Sequence, residues 1–123
     1  MTKKATIFCD IDGTLIHYRP FAEYSTTCPI PIQDNINSIN HCYNNGHHII
    51  MTTARPEYLR YHTTKELHEL GIQYHSLIMG IGRGPRIIIN DNESPNHNRT
   101  FAINTNRNQP MDSNDFDLLL SLD

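Results

Sequence analysis

The amino-acid sequence predicts an α/β fold: a parallel sheet with helices on both faces, built as one domain over residues 1–123. Three observations point there. Short apolar runs alternate with longer segments of helical period. The runs are apolar at successive rather than alternate positions, as expected of strands covered on both faces. The length suffices for one core and leaves little for a second lobe.

The first run, Thr-Ile-Phe-Cys at 6–9, ends in Asp10 and reads as a buried strand. Asp12, Gly13 and Thr14 form a turn at its C-terminal end. Residues 17–31 hold three prolines and read as loop. Ile32, Ile36, Ile39 and Tyr43 then recur at helical spacing, and Asn-Asn-Gly at 44–46 stops that helix. Residues 48–52 are the second strand. Thr53, Ala54, Arg55 and Pro56 turn out of it, and Pro56 suits a first helical position. A helix follows through Tyr58, Leu59, His62 and Leu67, ending at Gly71. Residues 76–79 are a third strand, 80–85 a glycine-rich loop, 86–90 a fourth strand ending in Asp91, and 101–104 a fifth. Ser113 is placed to cap a last helix through Phe116 and the leucines at 118–120.

Composition excludes several classes of function. The formal charge is −3, so there is no basic footprint and nucleic acid is not an expected partner. No apolar run approaches the ~20 residues of a membrane helix. The lysines at the start precede a stretch too short for a signal peptide, so a cytoplasmic location is expected. Three cysteines, Cys9, Cys28 and Cys42, are odd in number and lack metal spacing, which fits free thiols in a reducing compartment. The eight histidines are scattered. The loop at 80–85 is not followed by a helix, so it is not a Walker-type nucleotide loop.

In open parallel sheets ligands bind beyond the C-terminal strand ends. Here the first strand ends in Asp10 and Asp12, the second in Thr53 and Arg55, and the fourth in Asp91, with Arg83 and Arg86 just before it. If these strands are neighbours, three carboxylates, a hydroxyl and a cation converge. Clustered carboxylates repel unless a divalent cation neutralises them. Hard oxygen ligands suit Mg²⁺, which keeps several waters and a substrate phosphate.

These residues resemble a known family. Cys9-Asp-Ile-Asp-Gly-Thr-Leu15, after a short apolar strand, is similar to the first motif of the haloacid dehalogenase (HAD) superfamily. The apolar strand ending in Thr53-Ala-Arg resembles its second motif, and the apolar run ending in Asn90-Asp91 its fourth. Order and spacing agree from residue 5 to about 105.

The resemblance implies a Rossmann-like three-layer domain. About 16 residues separate Leu15 from the first helix, so no cap domain is expected. An open site then admits a bulky substrate, or a second copy of the chain supplies the missing wall. The resemblance also implies Mg²⁺-dependent hydrolysis of a phosphate monoester, with a sugar phosphate of surface-polysaccharide synthesis as the expected substrate. Asp10 would attack phosphorus and form an aspartyl phosphate. Asp12 would act as general acid and then base. The side chains of Asp10 and Asp91 and the carbonyl of Asp12 would hold Mg²⁺. Thr53 and the backbone N–H groups from Ile11 to Gly13 would bind phosphoryl oxygens, while Ala54 and Arg55 would meet substrate.

Two departures stand out. The family's third motif supplies a lysine, but no lysine follows Lys65. Arg86 takes that place by position, with Arg83 close behind, and a planar guanidinium is not equivalent to an ammonium. The fourth motif has one acid, Asp91, where two are common. These departures support a rival reading: a catalytically weak domain that binds a phosphorylated ligand or a protein partner. Dehalogenase-type chemistry is disfavoured by the presence of Asp12. A receiver-type phosphoacceptor is disfavoured by the absence of a late lysine.

Overall fold

The computed structural model describes residues 4–122; Lys3, part of the approach to the first strand, lies outside the described residues. Three parallel strands form one sheet in the order β1 (Thr6–Asp10), β2 (His48–Thr52), β3 (Ser76–Ile78). The register sets Asp10 opposite Thr52, and Thr52 opposite Ile78. The C-terminal strand ends are therefore level, and the loops that leave them share one rim.

Three α-helices accompany the sheet: α1 (Gln33–Asn44), α2 (Arg60–Glu69) and α3 (Ser113–Leu120). The isoleucine spacing of α1 buries Ile36, Ile39 and Cys42. Gly46, at φ +89°, ends it in a left-handed turn, and the His47 N–H reaches back to the Cys42 carbonyl. A 3₁₀ turn, Glu57–Leu59, follows Pro56 and leads into α2. The cap of α3 is Asp112, not Ser113. Asp112 has extended backbone angles, and its carboxylate accepts the Asp115 N–H at 2.9 Å.

Cys9, Ile49, Met51 and Leu77 from the sheet pack with Ile36, Ile39, Cys42, Leu67 and Leu119 from the helices in one cluster. Strand residues on the other face are wetter, with Phe8 53% and Ile78 45% exposed. The architecture is thus a small α/β domain with a parallel sheet and no cap. Among the described residues, the helices cover one face of that sheet.

The fourth and fifth strands expected at 86–90 and 101–104 do not form. Ile87, Ile88, Ile89 and Phe101 are exposed. Strand propensity reports how side chains fit a pleated, half-buried surface and needs a partner edge. Arg86 instead turns back on its own loop, donating to the carbonyls of Gly82 and Gly84 at 2.9 and 2.8 Å. Among the described residues, no helix is long and apolar enough to cross a membrane.

Candidate active site

Beyond the strand ends lies a cleft of about 240 Å³, lined by Asp10, Asp12, Ala54, Arg55, Arg83 and Arg86. Tyr18, Tyr24 and Arg107 complete its wall.

Asp10 is the last residue of β1. One of its oxygens accepts the Thr14 hydroxyl at 3.1 Å. Burial pushes its carboxyl above the ordinary range, the Thr14 hydrogen bond pulls it back, the Asp12 charge adds to the rise and Arg86 opposes it. The sheet thus places a partly desolvated carboxylate in the cleft.

The turn after β1 is tight. The N–H groups of Thr14, Leu15 and Ile16 all donate to the Ile11 carbonyl, at 3.2, 2.9 and 3.2 Å. Gly13 sits at φ +88°, a conformation side chains disfavour. Its N–H donates to the Ile16 carbonyl at 2.7 Å. That corrects the expectation that Gly13 offers its N–H to phosphate; the Ile11 N–H is directed at the Asp10 carboxylate, and the Asp12 N–H carries no backbone bond among the described residues.

Asp12 is gripped from three directions. Arg55 Nε and Nη2 donate to its two oxygens at 2.9 and 2.8 Å, and the Tyr24 hydroxyl donates at 3.2 Å. The Arg55 side chain is fully buried. A buried guanidinium must be compensated, and the compensation comes from α2. Arg55 Nη1 reaches Glu66 at 3.1 Å and the Thr63 hydroxyl at 3.2 Å. Glu66 takes a second fork from Arg19, at 2.8 and 2.9 Å, and His62 Nε2 lies 3.2 Å from it. Burial works against the Arg55 charge, but the hydrogen bonds and charges of Asp12 and Glu66 hold its pKa above the usual arginine value. Burial likewise raises Glu66, yet the two guanidiniums leave it below the usual carboxylate range. Tyr24 closes this chain, with the Arg55 guanidinium 4.3 Å over its ring.

Residues 17–31 are therefore anchored beside the site rather than loose. Arg19 ties them to α2, a further Arg19 bond to the Thr27 carbonyl braces the loop, and Tyr24 ties it to Asp12. Neither Arg19 nor Tyr24 was legible as a site residue. The one signal in the sequence was a lone arginine near the aspartate loop.

Thr53 follows β2 directly and is buried. Its hydroxyl accepts the Arg55 N–H at 3.0 Å, which leaves its own proton to donate. Ala54 and Arg55 line the cleft, while Thr53 lies just behind its lining. Arg83 and Arg86 both line the cleft, and the Arg86 charge acts on Asp10.

Asp91 does not join them. It is exposed and pairs with Arg99 at 3.4 Å, because the run before it is not docked as a strand. Among the described residues, no three His, Cys, Asp or Glu side chains converge as a metal site. What remains for a hard cation is a carboxylate oxygen of Asp10 and the Asp12 carbonyl, which accepts no backbone N–H among the described residues. One carboxylate and one carbonyl fit Mg²⁺, which fills its other positions with water and substrate phosphate. Cys9, the residue before Asp10, is a poor nucleophile: burial and the neighbouring Asp10 push its thiol up to about 12.

No curated protein matches the chain. Among solved structures, it superposes on a chain of the Pnkp1/Rnl/Hen1 complex with TM-score 0.56 and 22% identity, over 70% of this chain and 31% of the other. The chain thus spans under a third of that larger protein. A second structure, of the Pnkp1/Rnl/Hen1 RNA repair complex, gives 0.55 and 23%, over 68% and 27%. A structural-genomics target from Vibrio cholerae gives 0.53 and 16%, over 94% and 96%. At these identities the likeness concerns the fold. The family model for haloacid dehalogenase-like hydrolases matches residues 7–109, from within β1 to past the cleft, and the chain belongs to that family.

Proposed function

We propose that this chain is a Mg²⁺-dependent phosphatase that hydrolyses a small phosphate monoester, with a sugar phosphate as the best-fitting class. The observation that carries the reading is the unequal treatment of two adjacent aspartates. Asp10 lies in the cleft with one oxygen on the Thr14 hydroxyl, while Asp12 is locked in orientation by Arg55 and Tyr24. A nucleophile needs freedom and a proton carrier needs aim.

In the first half-reaction an Asp10 oxygen attacks phosphorus, the bond to the leaving oxygen breaks, and Asp12 gives that oxygen its proton. In the second, water attacks the same phosphorus and passes a proton to Asp12. The bond to Asp10 breaks and inorganic phosphate leaves. Thr53 and the N–H of Asp12 would hold phosphoryl oxygens, and Arg86 would offset their charge. Mg²⁺, held by Asp10 and the Asp12 carbonyl, would neutralise charge on the phosphoryl group. Arg55 is the residue that positions Asp12, since four of its five N–H donors go to Asp12, Thr63 and Glu66.

The second reading, a binding domain with weak catalysis, draws on the outward position of Asp91. Hydrolysis of phenyl phosphate with and without Mg²⁺, by the intact protein and by Asp10→Asn, separates the two. Magnesium-dependent turnover lost in the variant is expected. No turnover of phenyl phosphate or of a sugar-phosphate panel would favour the binding domain.

A further inference from the structure

Arg107 was not among the residues the sequence singled out, yet the fold places it with care. The loop that carries it is fastened to the nucleophile's turn. The Asn108 N–H donates to the Gly13 carbonyl at 2.8 Å, and Asn108 Oδ1 accepts the Tyr18 N–H at 2.6 Å. Asn108 adopts φ +64° to do so. Asn35, fully buried on α1, ties the same two loops together. It donates to the carbonyls of Thr14 and Gln109 at 2.8 and 3.2 Å and accepts the Met111 N–H at 2.9 Å. The stem of Arg107 lies against Gly13, where a Cβ would come within 3.3 Å of Arg107 Cγ.

The guanidinium so placed has no carboxylate partner among the described residues. It lies 4.2 Å over the Tyr18 ring. The hydroxyl of the same ring accepts from Arg83 Nη1 at 3.4 Å. Two guanidiniums therefore meet on one tyrosine at the mouth of the cleft. Arg107 also lines a second depression of about 180 Å³ on the other side of Asp10, with Gly13, Thr14 and Thr105.

Charge decides what such an arrangement holds. Asp12 is matched by Arg55, and Glu66 by Arg19. Asp10 is then the one cleft carboxylate left to face Arg83, Arg86 and Arg107. Arg86 is the cation whose charge acts on Asp10, and the phosphatase reading assigns it to the scissile phosphate. Arg83 and Arg107 remain, with donors that a neutral leaving group would not satisfy. Guanidinium forks suit carboxylate and phosphate oxygens.

We propose that Arg107, Arg83 and Tyr18 form a second anion subsite, so that the preferred substrate carries a carboxylate or a further phosphate on its leaving group. The proposal rests on the phosphatase reading and narrows its substrate class. It does not extend to polymeric substrates, since the cleft is small and the chain carries a net charge of −3.

A matched pair of probes tests it: glucose 6-phosphate, and 6-phosphogluconate, which adds a carboxylate at the far end. Calorimetric titration into the Asp10→Asn protein reads binding without turnover. Preference for 6-phosphogluconate by about tenfold is expected from one charge-assisted pair. Arg107→Gln in the same background should bring the ratio near one, and Arg107→Lys should restore part of it. Arg83→Gln should act in the same direction. Equal affinity, no binding of either probe at millimolar concentration, or a preference untouched by Arg107→Gln overturns the proposal. Failure of the phosphatase reading shows separately, as absent turnover by the unmodified enzyme.

Discussion

Glu66 offers the sharpest test of how the site is held. Its side chain is 6% exposed and takes three guanidinium bonds from Arg19 and Arg55. Glu66→Gln keeps the shape and one acceptor but removes the charge. Two buried cations then share one remaining anion, Asp12. Removing one partner of a buried pair costs about 3–5 kcal/mol, and the isosteric change belongs at the lower end. Unfolding entropy of about 2.1 cal/mol/K per residue over 123 residues turns ~3 kcal/mol into a fall of about 12 °C in Tm. The loss should depend on pH with a definite sign. Because Glu66 titrates below its usual 4.5 in the folded protein, its stabilisation is present above that value and lost as pH falls through the lowered one. The gap between wild type and Glu66→Gln is therefore widest near neutrality and narrows in acid. Calorimetric scans of both proteins between neutral and acid pH measure it. A Tm change under about 3 °C at neutral pH, or a gap that grows with acid, would refute the argument that this network carries a large share of the fold's stability.

Other expectations follow from the same geometry. Asp10 is raised by burial, so the folded protein loses stability as pH rises from 3.8 through the raised value; Asp10→Asn should melt higher than wild type at neutral pH in chelator, with the difference vanishing in acid. A lower Tm for the variant would contradict that placement of Asp10. Gly13→Ala forces a side chain into φ +88° and against Arg107, and should cost about 1–3 kcal/mol in urea unfolding, with phenyl phosphate turnover falling too. An unchanged midpoint would show that the turn is looser than described. Cys28 is exposed while Cys9 and Cys42 are buried. Ellman's reagent should therefore titrate one thiol quickly in the native protein, and all three after unfolding.

The sequence alone determined the elements whose signals are local. The apolar runs at 6–9, 48–52 and 76–79 became β1, β2 and β3 to within a residue or two, because each is long enough to bury and bounded by turn formers. The isoleucine period of α1 and its glycine stop were equally plain. The gathering of Asp10, Asp12, Ala54 and Arg55 at one cleft follows from parallel strands ending on one rim, whereas Arg83 and Arg86 reach it from a loop and not from the expected fourth strand. What the tertiary structure decided is what depends on a partner far along the chain. The run at 86–90 has every local mark of a strand, but without an edge beside it the segment stays exposed and Asp91 pairs with Arg99. Arg55 looked like a substrate contact. Only its distances to Asp12, Thr63 and Glu66 show that four of its five donors are already engaged. Arg19, Tyr24 and Arg107 reach the site from loops with no motif of their own. Their position is set by the bonds of Arg19 to Glu66, of Tyr24 to Asp12 and of Asn108, next to Arg107, to Gly13, pairings that residue order does not encode and that packing alone selects.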